Sequence, residues 1–314
     1  MALRRATTSL CLGSLPTASG PGRRHIITSA IEHKAVLEPL EYLARRGFEV
    51  DFLKPGPSGR VAVEAVLERL RPDTLLVSLM HVNNETGVIQ PVVDLARELL
   101  STPTYLHVDA AQGYSKVPAD LTAPIDMISI SGHKIGAPKG VGALVTRRRE
   151  SMDDERPPLE PIMFGGGQER GLRPGTLPVP LIMGLAEAAK VFEREHAQWK
   201  AAALELRARL LEGLASERFH LNGDQDHVVP HIVNVSFEDV DSEAFLVTLK
   251  ELVAVATGSA CTSASYTPSH VLTAMDLPDA VARNGLRFSW YPEQADGLDV
   301  AELANGVGKL RPRV

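Results

Sequence analysis

Hydrophobic residues recur along the first half of the chain in short runs that alternate with amphipathic segments. The apolar runs predict strands at 25–29, 48–53, 74–80, 104–108, 126–130 and 141–146. Helical periodicity predicts helices at 33–46, 62–71 and 91–101. The run at 74–80 is continuously apolar, which is typical of a strand buried on both faces. This alternation predicts an α/β fold with a mostly parallel sheet covered by helices on both sides.

The pattern changes in the second half of the chain. A Gly- and Pro-rich stretch at 165–180 precedes a long Ala- and Glu-rich helical segment at 181–213. Strands are then predicted at 231–237, 252–256 and 286–290, and helices at 242–251, 268–275 and 299–309. We therefore predict an unstructured leader at 1–24, a large domain at 25–185 and a smaller C-terminal α/β domain at 186–314, which includes the long connecting helix.

Composition excludes several classes of protein. The 314 residues carry a net charge of −6 without a dominant basic face, which argues against nucleic acid and anionic membranes as partners. Cys11 and Cys261 are too few for a disulfide framework and too far apart for a zinc site, so no metal is expected and a reducing compartment fits. No apolar run is long enough to span a membrane.

The first 24 residues contain four arginines and no acid. This composition is typical of a mitochondrial transit peptide, while a flexible leader unrelated to the fold is the alternative. We expect a cytoplasmic protein, with a mitochondrial one as the minor alternative.

Polar residues follow two of the predicted strands. Asp109 and Gln112 come after one strand, and Ser131, His133 and Lys134 after the next. In open α/β sheets, ligands bind beyond the carboxyl ends of the strands. An acid that pairs with a pyridinium nitrogen and a lysine that forms an imine are what pyridoxal phosphate requires. Each residue alone would also fit a surface lysine or a turn-capping aspartate.

Two further polar residues follow predicted strands. The Asn84 carboxamide could hydrogen-bond a cofactor oxygen or simply stabilise a turn. His33 opens a predicted helix, where it could stack on an aromatic cofactor, act as an acid or base, or cap the helix.

A thiol and two arginines complete the candidate chemistry. Cys261 lies at the centre of 257–265, which consists mostly of Gly, Ala, Ser and Thr. A thiol on such a loop could attack a bound substrate as the thiolate. Arg283 precedes the strand at 286–290 and Arg287 lies near its start, where an arginine could bind a substrate carboxylate in a bidentate manner or form a surface salt bridge.

Together these segments resemble the cysteine desulfurases, a branch of the class V aminotransferase family of fold-type I pyridoxal-phosphate enzymes. The resemblance extends from about residue 23 to residue 290. Its motifs are EHKAVL (32–37), MHVNNETGVIQ (80–90), HVDAAQ (107–112), SGHKIGAPKG (131–140), FGGGQERGLRPGTLPVP (164–180) and GSACTSAS (258–265). It implies a large domain with a mostly parallel sheet of the seven-stranded type, together with a smaller C-terminal α/β domain.

The resemblance also implies how the cofactor is bound. Lys134 matches the Schiff-base lysine, Asp109 the partner of the pyridine nitrogen, and Gln112 the donor to the ring hydroxyl. His33 matches the histidine that stacks on the ring and assists proton transfer, and Asn84 matches an asparagine that contacts both cofactor and substrate. Ser131 and His133 match phosphate ligands, and Thr176 matches a residue that reaches the phosphate of the neighbouring subunit.

For the reaction, the resemblance implies that Arg287 holds the carboxylate of L-cysteine and that Cys261 takes its sulfur. The products are L-alanine and a Cys261 persulfide, which passes sulfur to an acceptor or scaffold protein in iron–sulfur cluster assembly or tRNA thiolation. A homodimer is expected.

The sequence departs from the family pattern in two places. The family has a longer segment before residue 25, with a Gly-Ala-Thr-Glu-type turn that binds the phosphate at a helix N-terminus. Residues 1–24 lack that turn, so we expect an N-terminally truncated chain with weakened cofactor affinity. Trp290 and Tyr291 replace the usual Gly-Arg. Selenocysteine lyase is the alternative activity, and an inactive fragment or pseudo-enzyme that acts as a binding partner is the alternative of another class.

Overall fold

The computed structural model describes residue 15 and residues 22–149, 156–258, 268–291 and 297–312. The chain divides into two compact units. The first unit contains the described residues of Met1–Leu53, Val61–Val82 and Gln90–Arg194. The second unit contains those of Lys54–Arg60, Asn83–Ile89 and Glu195–Val314. Two short segments from the first half of the sequence therefore belong to the second unit.

The first unit is built on a six-stranded sheet. Its strands are β1 (His25–Ser29), β2 (Glu49–Leu53), β3 (Thr74–Met80), β4 (Tyr105–Asp109), β5 (Met127–Ser131) and β6 (Gly142–Thr146), in the spatial order β2-β1-β3-β4-β5-β6. All neighbouring pairs are parallel except β5 and β6, which are antiparallel. The prediction of a mostly parallel sheet is confirmed. The last strand breaks the predicted βαβ alternation because the connection at 132–141 is too short for a crossover helix.

Within the described residues of 25–171, three helices and three 3₁₀ turns accompany this sheet. The helices are α1 (Lys34–Ala44), α2 (Val63–Leu67) and α3 (Val92–Leu99), and the turns are Pro118–Thr122, Gly132–Lys134 and Gln168–Gly171. The helix α2 is shorter than the predicted 62–71. Its chain tightens into i→i+3 hydrogen bonds at Arg69 and Leu70, just before Pro72, which disfavours a preceding helical residue.

Apolar side chains fill both faces of this sheet. One face packs Ile27, Val77 and Val108 together with residues of α3, and the other packs Ile26 and Leu76 together with residues of α1. Every residue of β3 is buried, which confirms the prediction from its continuous apolar run. Because neighbouring strand residues point to opposite faces, each central strand contributes alternately to these two cores.

A buried ion pair joins several elements of the first unit. Arg149 contacts both carboxylate oxygens of Asp126, at 2.6 and 2.5 Å, and neither side chain is accessible beyond 1%. The same guanidinium donates to the carbonyl oxygens of Leu99, Thr102 and Thr104. This arrangement satisfies the donors of a buried arginine and ties the end of α3 to β4 and β5.

The second unit contains a four-stranded antiparallel sheet. Its strands are β7 (Phe219–Leu221), β8 (Ile232–Phe237), β9 (Ala256–Thr257) and β10 (Gly285–Ser289), in the order β7-β8-β10-β9. The prediction of a strand over 252–256 is wrong except at its last residue. The strand β7 was not predicted, since three residues are too few to show an alternating pattern.

The remaining helices are α4 (Val179–Gly213), α5 (Ser242–Thr248), α6 (His270–Ala274), α7 (Asp279–Arg283) and α8 (Val300–Leu310). The long helix α4 confirms the prediction over 181–213. In the second unit the core packs Phe237, Phe245 and Phe288 against apolar residues of α4 and α8.

Parts of the predicted leader belong to the packed structure of the first unit. Leu15 is buried among residues of β1 and α1. The Arg23 guanidinium donates to the carbonyl oxygens of Thr74, at 3.0 Å, and Pro103. Among the described residues, no helix has both the length and the apolar character that a membrane crossing demands.

Candidate active site

The carboxyl ends of β1, β3, β4 and β5 lie side by side along one edge of the first sheet, the edge that is formed by strand ends. Asp109 is the last residue of β4, and Ser131 is the last residue of β5. Lys134 ends the 3₁₀ turn that follows β5, and His33 follows β1 at the start of α1. The fold therefore brings four of the predicted residues to the edge where α/β sheets bind ligands.

The Asp109 carboxylate is buried, with one oxygen engaged. Its Oδ1 accepts a hydrogen bond from the Ala111 backbone N–H at 2.9 Å. Its Oδ2 is buried and has no hydrogen-bond partner among the described residues. Because a buried unsatisfied carboxylate oxygen is costly, this atom is suited to accept from a donor on a ligand. A protonated ring nitrogen is such a donor.

His33 is buried and caps α1. Its Nδ1 accepts a hydrogen bond from the backbone N–H of Ala35 at 3.0 Å. A ring nitrogen that accepts must be unprotonated, so in the neutral ring the proton resides on Nε2. Capping, one of the alternatives considered from the sequence, is thus what the structure describes, and it orients the ring.

Ser131, His133 and Lys134 form a short polar stretch after β5. The Ser131 hydroxyl lies 3.1 Å from Nδ1 of His133. The carbonyl oxygen of Lys134 is 3.5 Å from the ammonium of Lys116, whose pKa is lowered to about 8 by burial. A second lysine, which the sequence analysis did not identify, therefore lies beside the backbone of Lys134.

Gln112 and Thr176 are the other two predicted cofactor residues of this unit. Gln112 is half-buried, three residues after the end of β4. Thr176 is exposed. It follows the turn Gln168–Gly171, in which Glu169 and Arg170 have φ angles of 47° and 59°. Residues with side chains rarely adopt this left-handed conformation, which is costly and often marks functional segments.

A buried histidine, His107, lies on β4 two residues before Asp109. The His107 ring lies between the hydroxyls of Ser78, at 2.8 Å, and Ser129, at 2.9 Å. Burial lowers the pKa of His107 to about 4, against the opposing effect of the Asp109 charge. The ring is therefore neutral at pH 7 and does not itself compensate the negative charge of Asp109.

The second unit contains the predicted substrate residues. The Arg287 guanidinium donates through Nη1 to the carbonyl oxygen of Asn84 at 3.0 Å. Asn84 is itself buried, and the preceding Asn83 stabilises the turn through its Oδ1, which accepts from the backbone N–H groups of Glu85 and Thr86. Turn stabilisation, one reading of this Asn-rich segment, is thus performed by Asn83.

The two candidate arginines differ in their surroundings. Arg283 is exposed and pairs with Asp279 one helical turn away, at 2.7 Å. This is the surface salt bridge that the sequence left as an alternative. Arg287 is the one that remains suited to bind a carboxylate.

Cys261 lies outside the described residues, as does most of its segment. Two described residues near the ends of this gap, Gly258 and Ser269, both lie close to Glu85. The Ser269 hydroxyl donates to Oε2 of Glu85 at 2.5 Å, and a Cβ atom placed on Gly258 would lie 3.8 Å from the same oxygen. Glu85 is fully buried.

Sequence analysis missed three buried groups of this region. They are the Glu32 carboxyl, the His81 ring and the Glu85 carboxyl. All three lie within motifs of the family resemblance, but a motif does not indicate whether a polar residue is buried. Among the described residues, no cluster of His, Cys, Asp and Glu side chains has the composition of a metal site.

Comparisons with known proteins agree with these observations. The family model described as "Aminotransferase class-V" matches residues 6–298. "Cysteine desulfurase IscS" of Aeromonas salmonicida is 43% identical over 298 residues, which cover 93% of this chain and 72% of that protein.

Two solved structures are similar as well. DndA from Streptomyces lividans is 78% identical, with a TM-score of 0.83, over 92% of this chain and 81% of the other. The structure described as "SspA in complex with cysteine" is 37% identical, with a TM-score of 0.77, over 92% of this chain and 80% of the other. The chain therefore belongs to the class V aminotransferase family and, within it, to the pyridoxal-phosphate-dependent cysteine desulfurases.

Proposed function

We propose that this protein binds pyridoxal phosphate and converts L-cysteine to L-alanine, with the sulfur transferred to the thiol of Cys261. The observation that carries the proposal is the buried Oδ2 of Asp109, which lacks a partner among the described residues. It lies at the same sheet edge as Lys134 and His33. A cysteine-bound relative supports the choice of substrate.

The residues of the first unit fit the cofactor. Asp109 holds a proton on the ring nitrogen, and with that nitrogen protonated the cofactor stabilises negative charge at the substrate carbon. Lys134 holds the cofactor covalently and moves protons at the substrate. His33 contacts the ring face, and Gln112 donates to the ring hydroxyl.

Ser131 and His133 donate to the phosphate, and Thr176 serves the phosphate of a second subunit. We therefore propose a homodimer. Exposed large apolar side chains occur before and after Thr176 in the sequence: Phe164, Val179 and Met183 are 82%, 59% and 62% accessible. Exposed apolar residues in the segment of a proposed cofactor ligand fit coverage by a second copy of the chain.

In the second unit, Arg287 binds the substrate carboxylate and Asn84 contributes to the same site. The Cys261 thiolate attacks the substrate sulfur, so that a sulfur–sulfur bond forms while the carbon–sulfur bond breaks. The carbon keeps the electron pair and gains a proton. One protein thiol and one cysteine thus become one persulfide and one alanine, without an external oxidant or reductant.

The persulfide then passes to a sulfur-acceptor or scaffold protein, in iron–sulfur cluster assembly or tRNA thiolation. The proposed compartment is the cytoplasm, in line with the bacterial relatives. Neither nucleic acid nor a membrane surface is proposed as a partner.

The test uses the purified chain with added pyridoxal phosphate. We expect the visible absorbance of lysine-bound cofactor in the wild type and its loss in Lys134→Ala. With L-cysteine and a thiol reductant, the wild type releases equal amounts of alanine and sulfide. Cys261→Ser keeps the absorbance and releases neither, while Cys11→Ser serves as the matched control and behaves as the wild type.

Two results would overturn the proposal. Absence of bound cofactor in the wild type would favour the inactive binding partner that the sequence analysis kept as an alternative. Strong preference for selenocysteine over cysteine, assayed side by side, would favour a selenocysteine lyase.

A further inference from the structure

We propose that Glu32 is a positioning residue for the cofactor pocket: its buried carboxyl ties the turn after β1 to the end of β3 and thereby fixes His33. This inference rests on the proposed function, in which His33 contacts the cofactor ring. Glu32 directly precedes His33 in the chain and is completely inaccessible to solvent.

The contacts of Glu32 connect two neighbouring strands. Its Oε1 accepts from the hydroxyl of Ser29, the last residue of β1, at 2.8 Å. The same oxygen accepts from the backbone N–H of Met80, the last residue of β3, at 2.7 Å. One side chain therefore joins the carboxyl ends of two adjacent parallel strands, at the edge where the cofactor residues lie.

His33 is consequently held from two sides. The Glu32 carboxyl anchors the residue directly before His33, which fixes the His33 backbone. The His33 ring is oriented by the hydrogen bond from the backbone N–H of Ala35 to Nδ1. Positioning of this kind matters because a displacement of about 1 Å in a reactive group can cost about 10²-fold in rate.

Glu32 performs this anchoring as a neutral carboxylic acid. The pKa of Glu32 is raised to about 8, mainly by burial and in smaller part by the negative charge of Asp109 on β4, while the donors from Met80 and Ser29 act in the opposite direction. Glu32 is therefore mostly protonated at pH 7. As a neutral acid it anchors the turn without a second negative charge beside Asp109, which alone then attracts the ring nitrogen proton.

Two substitutions separate anchoring from charge. Glu32→Gln keeps the size and an accepting oxygen without a titratable proton, whereas Glu32→Ala removes the anchor. At pH 7 we expect the cofactor dissociation constant of Glu32→Gln to stay within about threefold of the wild type, and that of Glu32→Ala to rise at least about tenfold. Glu41→Gln, an exposed change on α1, is the matched control and leaves the constant unchanged.

A second measurement does not depend on the cofactor. A carboxyl whose pKa is raised by folding stabilises the folded state fully below its unfolded pKa, and this contribution is lost as the pH rises through the folded pKa. Wild-type protein without cofactor should therefore lose stability between pH 4.5 and about 8. Glu32→Gln lacks that loss. Its free energy of unfolding in urea, relative to that of the wild type, should therefore increase from pH 5 to pH 8, and the difference should be constant above pH 8.

The outcomes separate this inference from the proposed function. If Glu32→Gln binds the cofactor as poorly as Glu32→Ala, an ionised carboxylate is needed and the inference is wrong. A constant stability difference between Glu32→Gln and wild type across this pH range would also overturn it. If wild-type protein binds no cofactor, the proposed function fails, while the unfolding series still decides whether Glu32 is a neutral acid.

Discussion

The Arg287 guanidinium donates to the backbone carbonyl of Asn84 at 3.0 Å, so the turn that contains Asn84 holds the arginine proposed to bind the substrate. This contact is made by Nη1 and orients the guanidinium, whose planar arrangement of donors matches a carboxylate. The arginine is therefore oriented before substrate binds.

We predict that Arg287→Lys raises the KM for L-cysteine about 10- to 100-fold, because an ammonium lacks the planar fork that binds a carboxylate through two hydrogen bonds. Cofactor absorbance should be unchanged. Steady-state kinetics measure the effect, and Arg283→Lys is the matched control because Arg283 pairs with Asp279 on the surface. An unchanged KM would show that another residue binds the carboxylate.

Asp109→Asn tests the acid proposed to pair with the ring nitrogen. The new amide oxygen can still accept from the Ala111 N–H, so we expect the fold to persist. The amide cannot compensate a positive ring nitrogen, and the rate of alanine formation should fall about 10²-fold or more. The rate of alanine formation is measured for the wild type and for Asp109→Asn, and urea unfolding curves check that the variant is folded. Normal activity of the variant would contradict the assignment.

Gly113 is required because the His81 ring lies against its backbone. A Cβ atom at Gly113 would lie 1.9 Å from Nδ1 of His81, whose ring is fully buried and whose Nε2 contacts Asp120 at 3.1 Å. Gly113→Ala should therefore cost about 1–3 kcal/mol in the free energy of unfolding. Combining it with His81→Ala removes the clash, so the two costs should not add; strict additivity would rule out this explanation.

Arg149→Met removes the main partner of the buried Asp126 carboxylate, which keeps only a longer contact of 3.4 Å to Arg147. We expect a loss of about 3–5 kcal/mol in the free energy of unfolding, measured in urea. Adding Asp126→Leu should recover part of that loss, because it removes the buried charge, while the backbone N–H of Leu106 loses the acceptor that it has at 2.7 Å. Arg148→Met, at an exposed neighbouring position, is the control with little effect.

His107 makes stability depend on acid pH. Burial lowers its pKa from 6.5 to about 4, so the unfolded chain binds the proton more tightly than the folded protein. The contribution is fully present above pH 6.5 and is lost as the pH falls towards 4. His107→Asn should show a smaller loss of stability over this window in urea unfolding. An identical pH dependence in both proteins would mean that the ring titrates normally.

Much of the first unit could be predicted from the sequence, because its central strands are buried on both faces and their apolar runs are unambiguous. The strand-end rule likewise predicted that Asp109 and Lys134 lie at one edge. The antiparallel direction of β6 could not be predicted from its composition, since it depends on the length of the preceding connection. The burial of Glu32 and Glu85 depends on partners distant in sequence. The role of Cys261 stays a prediction, because it lies outside the described residues.

The strand β2 lies at one end of the six-stranded sheet, where backbone groups could pair with a strand from another molecule. It alternates acidic residues, Glu49 and Asp51, with apolar ones, and Phe52 is 40% accessible. Glu49 lies 2.8 Å from Arg71 and Asp51 lies 3.6 Å from Arg69, so this edge carries ion pairs. A second strand added here would have to bury these charged side chains, which opposes edge-to-edge association. The charged residues of this edge therefore disfavour aggregation by strand addition.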